Sequence, residues 1–306
     1  MTAGNDRVRR GTLFPIVEAY GFPHDCTTAE AQETWDAQQC PFSNTRCEKK
    51  VQYNFGYCSV VYAAAWDKGR PQPYAVCDHR LDGEPINWAL SDYFGDEQPQ
   101  LVSEVTALSD PKLNIDYVAF IDDEAHDETA LIAIEAQAID LRGGGVGPAW
   151  RAWEDGKPEQ WRAYFTAEAK DKNRRDTVDY GVNTGNVYKR LATQVLVKGE
   201  YLKEIDVPLY VIMQHSILQQ LRTRVNFTTV GRDDPWDITF GSFEYTGQRE
   251  SNGQLEFSFV EAVRTTLDNY RLAFMMSSAA PTYLREDFIE KVKKKAGSST
   301  SQTELF

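Results

Sequence analysis

Between residues 130 and 141 the chain reads Ala-Leu-Ile-Ala-Ile-Glu-Ala-Gln-Ala-Ile-Asp-Leu, an apolar run whose polar members are Glu135, Gln137 and the closing Asp140. Residues 114–121, rich in β-branched and aromatic side chains, precede it across an acidic turn at 122–129. Two such runs around a polar turn predict a β-hairpin. So continuous an apolar strand predicts a sheet covered on both faces. A glutamate inside it demands a partner, because an uncompensated buried charge costs several kcal/mol, roughly.

The length of 306 residues suits one large domain or two average ones. The 42% hydrophobic and 26% charged fractions exclude a disordered chain. No stretch approaches the roughly 20 apolar residues of a membrane span. The N-terminus carries Arg7, Arg9 and Arg10 with no apolar segment behind them, so the expectation is a soluble, cytoplasmic protein without a secretory signal. The net charge of −13, from 46 acids and 33 bases, argues against a protein that coats nucleic acid, since phosphate binding rests on Lys and Arg. A nucleic-acid enzyme with its bases gathered in one cleft remains compatible. Residues 101–140 hold ten acids against one base, Lys112, a concentration that suits divalent cations and also solvated loops.

All five cysteines (Cys26, Cys40, Cys47, Cys58, Cys77) fall in the first quarter. In a cytosolic chain a local cluster reads as metal binding before disulfides. The last four are spaced Cys-x6-Cys-x10-Cys-x18-Cys, looser than paired zinc knuckles. Pro41 stiffens the turn after Cys40, and Gly56 before Tyr57-Cys58 allows backbone N–H groups to approach a sulfur. Four thiolates favour a tetrahedral Zn or Fe site; small buried hydrophobes are the plain alternative. Cys26, beside His24 and Asp25, reads as a free thiol.

Along the chain, a short helix is predicted over 13–20 and another over 27–39, with Thr27 or Thr28 as its N-cap. Within 40–82, short strands are predicted at 51–55, 58–63 and 74–77. Residues 86–108 read as a helix broken near 95–99. The glycine run 143–147 interrupts the chain after the hairpin, and 149–180 reads as loop plus helix. A helix is predicted over 187–196, a strand over 207–212 starting at Pro208, and a helix over 215–222. Strands come next at 236–245 and 255–260, then helices at 263–275 and 283–295. The parts expected are 1–85 as N-terminal helices and cysteine module, 86–295 as main domain, and 296–306 as mobile tail.

The chemistry concentrates on Asp116 and Glu135-Ala136-Gln137. Alternation puts Glu135 and Gln137 on one face, where Asp116 of the neighbouring strand can set its carboxylate beside Glu135, and the Ala136 carbonyl offers a third oxygen. Hard oxygens of this kind suit Mg²⁺. Gln137 stands where many such enzymes carry lysine, so positive charge must come from the metal or from Arg142. Asp122, Asp123 and Glu124 compete with Asp116, and Glu104 of the preceding helix is a further carboxylate. The alternative is that Glu135 is a paired structural carboxylate and Asp116 a turn residue.

Several of these segments together resemble one family. Cys40-Pro41-Phe42, Cys47-Glu48-Lys49, Gly56-Tyr57-Cys58-Ser59-Val60 and Val76-Cys77-Asp78-His79-Arg80-Leu81 are similar to the cysteine signature of NotI-type restriction endonucleases. Ile134-Glu135-Ala136-Gln137-Ala138-Ile139-Asp140 is similar to that family's Glu-x-Gln strand, and Asp116-Tyr117 to the Asp-aromatic before it. Asn186-Val187-Tyr188-Lys189-Arg190 is a third match. The matches span about residues 13 to 200. The resemblance implies an α/β fold with a PD-(D/E)xK nuclease core, a mixed central sheet flanked by helices, and a small N-terminal four-cysteine module. It further implies a type II restriction endonuclease cutting double-stranded DNA at GC-rich palindromes as a homodimer with Mg²⁺. Carried over, Asp116, Glu135 and Gln137 form the active site, with Asp116, Glu135 and Ala136 on Mg²⁺. Cys40, Cys47, Cys58 and Cys77 hold iron, zinc being the other option. The chain departs from the family after the fourth cysteine, where Asp78-His79 replaces Pro-Asn. Candidate DNA contacts are Arg142, Arg151, Lys189 and Arg190, with Arg222 and Arg224 behind them, because arginine to guanine is the commonest specific major-groove contact. Trp150 and Trp153 read as packing, and residues 291–295 as the basic end of a helix. The competing functions are a non-catalytic sequence-specific DNA-binding protein and a repair-type nuclease of the same fold.

Overall fold

The computed structural model describes residues 13–110, 112–123, 128–143, 145–173, 178, 180–278 and 285–299. Turn chemistry begins it. Strands β1 (Ile16–Ala19) and β2 (Phe22–Pro23) pair through the two-residue connection Tyr20-Gly21, both at positive φ (46° and 79°), the geometry that suits the twist of a hairpin. The short β3 (Gln39–Cys40) and β4 (Thr45–Arg46) pair with each other, while β5 (Tyr57–Tyr62) and β6 (Gln72–Ala75) extend the first hairpin into a sheet ordered β2-β1-β5-β6. The helix predicted over 13–20 is therefore a strand, because β5 offers Ile16–Ala19 a ladder that outweighs local preference. The reverse holds at 51–55, where helix Glu48–Tyr53 replaces the predicted strand. Its Val51 and Tyr53 are exposed, so no strand neighbour overrides the helix-favouring Glu-Lys-Lys start.

Helix Ala29–Ala37 starts as predicted from Thr28, whose hydroxyl accepts from Ala31 N–H at 3.2 Å. Helix Glu84–Phe94 ends at Gly95 (φ 65°). The chain then forms strand β7 (Gln100–Ser109) instead of continuing the predicted helix, because Val102, Val105 and Thr106 favour a pleated edge.

The hairpin is as predicted: β8 (Lys112–Asp123) pairs antiparallel with β9 (Glu128–Gln137). The strand stops at Gln137, and β10 (Leu141–Gly143) turns away to pair with β11 (Tyr180–Val182). Then β12 (Leu209–Gln214) runs parallel to β9 on one side and to β13 (Ile238–Arg249) on the other, and β14 (Leu255–Thr265) closes the edge. The result is a six-stranded mixed sheet ordered β14-β13-β12-β9-β8-β7. Pro208 stands directly before the first residue of this central strand, as its position at the strand start predicts, and its carbonyl accepts from Ala133 N–H at 3.0 Å. β14 also runs through Thr265, so the helix predicted from 263 begins at Leu267. The last helix, Arg285–Ser299, extends past the boundary predicted at 296; residues 300–306 lie outside the described ones.

Helices flank the sheet. On one face Ile86 and Ala89 of helix Glu84–Phe94 pack with Ile132, Ile134, Tyr210 and Ile212. On the other, Val195 and Leu202 of helix Thr193–Lys203 and Ile217 and Leu221 of helix His215–Arg224 pack with Ala133, Val211 and Met213. The small sheet joins this second core through Ile16, Val60 and Tyr74. Trp150 is buried there and Trp153 packs against it. Among the described residues no helix is long and apolar enough to cross a membrane.

Candidate active site

The β8–β9 ladder runs from Asp123–Glu128 to Tyr117–Ile134 and then opens. One step further, Asp116 and Glu135 stand opposite each other, and their carboxylates take over the backbone groups that the ladder would have used. Ala136 N–H donates to Asp116 Oδ2 at 3.0 Å, and Asp116 N–H donates to Glu135 Oε1 at 3.4 Å. Both side chains thereby gain a fixed orientation at the mouth of the sheet. A third acid lines up with them. Glu104 lies between the pairs Ser103–Tyr117 and Val105–Ile115 of the β7–β8 ladder, across from Asp116. Its φ of 55° departs from the extended backbone around it, a conformation that costs a non-glycine residue about 1 kcal/mol or more. Glu104 thus reaches the site from a strand, not from the predicted helix.

Burial pushes the Asp116 carboxyl up, against the Ala136 N–H and the Lys198 ammonium, with Asp78 and Glu104 adding to the rise. Glu135 is pushed up to about 7, first by burial and then by the Asp116 charge, which together outweigh Lys198 and the Asp116 N–H. Two neighbouring carboxylates that resist joint ionisation are oxygen donors for which a divalent cation would compete with protons. Gln137 comes next on the same face, but its Nε2 donates to the Ala138 carbonyl at 2.7 Å, which turns the amide toward a small pocket beside Asp140 and Arg190.

A cleft of about 1010 Å³ opens between residues 42–87 and this corner of the sheet, with Asp116, Ala136, Glu104 and Tyr117 on its wall. Glu135 lies behind Asp116, outside that lining. The wall is acidic: Glu48, Asp78, Asp82 and Asp140 add to Glu104 and Asp116, against Lys49 and His79. Asp78 explains the departure after the fourth cysteine. Its Oδ1 accepts from Ala138 N–H at 2.9 Å and so ties the segment after Cys77 to the end of β9.

His79 is held by Asp82, with Nδ1 and Oδ2 2.6 Å apart. That hydrogen bond, opposed by burial, pushes its pKa up to about 9 from 6.5. A proton bound this way stabilises the fold in full below pH 6.5 and is lost as pH rises through about 9. The ring is 29% exposed, which limits the contribution to about 2 kcal/mol. In urea titrations the stability deficit of Asp82→Asn should shrink by about that amount between about pH 6 and about pH 10. A deficit equal at both ends would disconnect His79 from it.

The candidate DNA contacts scatter. Arg151 is paired with Glu168, and Arg190 with Asp140 at 3.1 Å, where Asn186 Nδ2 also donates at 2.7 Å. Lys189 is exposed on the π-helical turn Val187–Ala192, a turn type often found at functional sites. Arg142 lies on β10, its side chain outside the described residues. Arg222 and Arg224 stack over Phe227 and Tyr188. None of Arg151, Lys189, Arg190, Arg222 and Arg224 lines the acidic cleft. Of the competing aspartates, Asp122 accepts from Thr129 Oγ1 at 3.2 Å, far along the hairpin; the side chains of Asp123 and Glu124 lie outside the described residues.

Cys40 ends β3, Cys47 caps helix Glu48–Tyr53, Cys58 lies in β5 and Cys77 comes just after β6; all four thiols are buried and free. Burial pushes Cys47, Cys58 and Cys77 up, Cys77 to about 11. Cys40 and Cys77 both add to the rise at Cys58, and Cys40 to that at Cys47 and Cys77, so the sulfurs share one neighbourhood. The N–H group on Cys58 Sγ comes from Gly21 at 3.3 Å. Gly56 instead makes room for the Tyr20 ring, which a Cβ there would meet at 2.3 Å. The donor set suits a thiolate-bound ion. Among the described residues, no group of three or more His, Cys, Asp or Glu is arranged to hold an ion. Cys26 sits apart, its Sγ 3.4 Å from Thr28 Oγ1 and 3.8 Å from the Gly253 carbonyl.

Two site residues escape a reading of the sequence. Asp78 is visible only as a departure from a motif. Lys198 comes directly after Val195-Leu196-Val197, and a lysine closing such a run is a faint sign of burial. No protein-family model matches the chain, and no curated protein matches it.

Proposed function

We propose that the chain is a Mg²⁺-dependent type II restriction endonuclease that hydrolyses phosphodiester bonds of double-stranded DNA. The observation that carries this reading is the opened end of the β8–β9 ladder, where Asp116, on the wall of a large cleft, stands beside Glu135 just behind it. Asp116, Glu135 and the Ala136 carbonyl are the groups that would hold Mg²⁺. Bound there, the metal supplies an activated water and offsets charge on the scissile phosphate. The chain's own residues fix the ligands: Ala136 N–H orients Asp116, Asp116 N–H orients Glu135, and Asp78 holds the strand end. An acidic wall repels a polyanion, so cations held there would also ease the approach of DNA. The family resemblance adds a homodimer, a GC-rich palindromic target and iron on Cys40, Cys47, Cys58 and Cys77.

Purified protein incubated with GC-rich plasmid and Mg²⁺ should yield discrete fragments. A ladder without sequence preference would favour a repair-type nuclease, a reading encouraged by the absence of the described candidate arginines from the cleft wall. Specific duplex binding with no cleavage in Mg²⁺ or Mn²⁺ would favour a non-catalytic DNA-binding protein. Elemental analysis should find about one iron or zinc per chain, the stoichiometry of a single four-thiolate site. Metal-free protein of undiminished stability and activity would remove the cysteine site.

A further inference from the structure

Position 137 carries a neutral amide, yet a buried ammonium stands next to the carboxylate pair. Lys198 is 8% exposed and its Nζ pairs with Glu135 Oε2. It belongs to helix Thr193–Lys203, whose Val195 and Leu202 are packed into the core on the same face of the sheet. A lysine in that setting loses hydration that only a well-placed anion offsets. The next residue allows the approach. At Gly199 a Cβ would stand 3.0 Å from Leu267 Cδ1 and 3.6 Å from Ile238 Cδ1, so even a methyl group there would press on the Leu267 side chain. Glycine is a poor helix former, and here it brings the helix backbone down to where its neighbouring lysine meets β9. Among the described ion pairs, no other cation meets Glu135.

We propose that Lys198 is the positioning cation of the Asp116–Glu135 site, delivered from a helix through space to do what the strand's own position 137 leaves undone. In the ion-free protein the ammonium holds Glu135 in place and relieves its repulsion with Asp116. With a cation on the carboxylates, the same ammonium keeps positive charge beside the bound phosphate. The second role rests on the nuclease reading; the first does not.

The two roles predict opposite changes in one variant. Calcium, an oxygen-seeking ion that thiolates bind poorly, is the probe for calorimetric titration. Lys198→Met removes the ammonium that competes for Glu135, so Ca²⁺ should bind about tenfold tighter, the scale of one close unit charge near a protein surface. Mg²⁺-dependent plasmid cleavage should fall by about 100-fold or more, as when one electrostatic donor is removed from a transition state. Lys198→Arg should recover much of the cleavage and the wild-type Ca²⁺ affinity. A lysine that merely supports the fold would weaken both readouts in Lys198→Met. If that variant does not fold, Lys198→Gln, which keeps a hydrogen-bond donor without the charge, serves for the same two measurements. Unchanged or weaker Ca²⁺ binding in a folded variant overturns the proposal, as does cleavage at the wild-type rate. A wild-type protein inert toward DNA removes the nuclease reading alone, and tighter Ca²⁺ binding by Lys198→Met would still support Lys198 as the site's cation.

Discussion

Glu135→Gln should abolish DNA cleavage, by about 10³-fold or more, while leaving duplex binding in place. That factor corresponds to about 4 kcal/mol of transition-state stabilisation, an ordinary share for a metal site. Glutamine keeps the shape of the side chain and one acceptor for the Asp116 N–H, now 3.4 Å from Oε1, but withdraws the charge that a cation and Lys198 both require. Glu135→Ala would add a cavity and leave the Lys198 ammonium buried without its partner, so Gln is the cleaner test of chemistry and Ala the check that it is not specific to the amide. Steady-state cleavage of a plasmid, read alongside gel-shift affinity in Ca²⁺, separates the two functions. A Gln variant that cuts at the wild-type rate would take Glu135 out of the mechanism.

The largest effect on stability should come from Arg80→Met, with a loss of about 3–5 kcal/mol, the range for stranding one partner of a buried ion pair. Glu18 is fully buried and accepts from Arg80 Nε at 3.0 and 3.2 Å, from Ser59 Oγ at 2.6 Å and from Tyr245 OH at 2.8 Å. Arg80 also donates to the Leu255 carbonyl at 2.8 Å, and its guanidinium lies among Phe42, Tyr245 and Phe257. One arginine therefore joins β1, the segment after Cys77 and the β13–β14 hairpin. Methionine fills much of the volume but leaves Glu18 charged and short of a counterion. Pairing it with Glu18→Gln should recover part of the loss in urea unfolding, because the stranded charge is gone. A single variant within about 1 kcal/mol of wild type would show that the pair contributes no more than an exposed one.

The outcome at these residues separates local from distant causes. The β8–β9 hairpin, the standing of Asp116 beside Glu135 and the Thr28 cap are legible from the chain itself. Each depends on side-chain alternation, turn chemistry or spacing within a short stretch. The strand at Ile16–Ala19, the helix at Glu48–Tyr53 and the strand at Gln100–Ser109 are not, because short segments take the state that their neighbours in space allow. Asp78 and Lys198 reach β9 from a turn before it and a helix well after it, and nothing in their own surroundings in the chain points to that strand. What the amino-acid order decided was which strand carries the acids and how they face. What the packing of module and helix against that strand decided was which charges answer them, since electrostatic partners in a protein interior are set by proximity through space and low dielectric rather than by order along the chain.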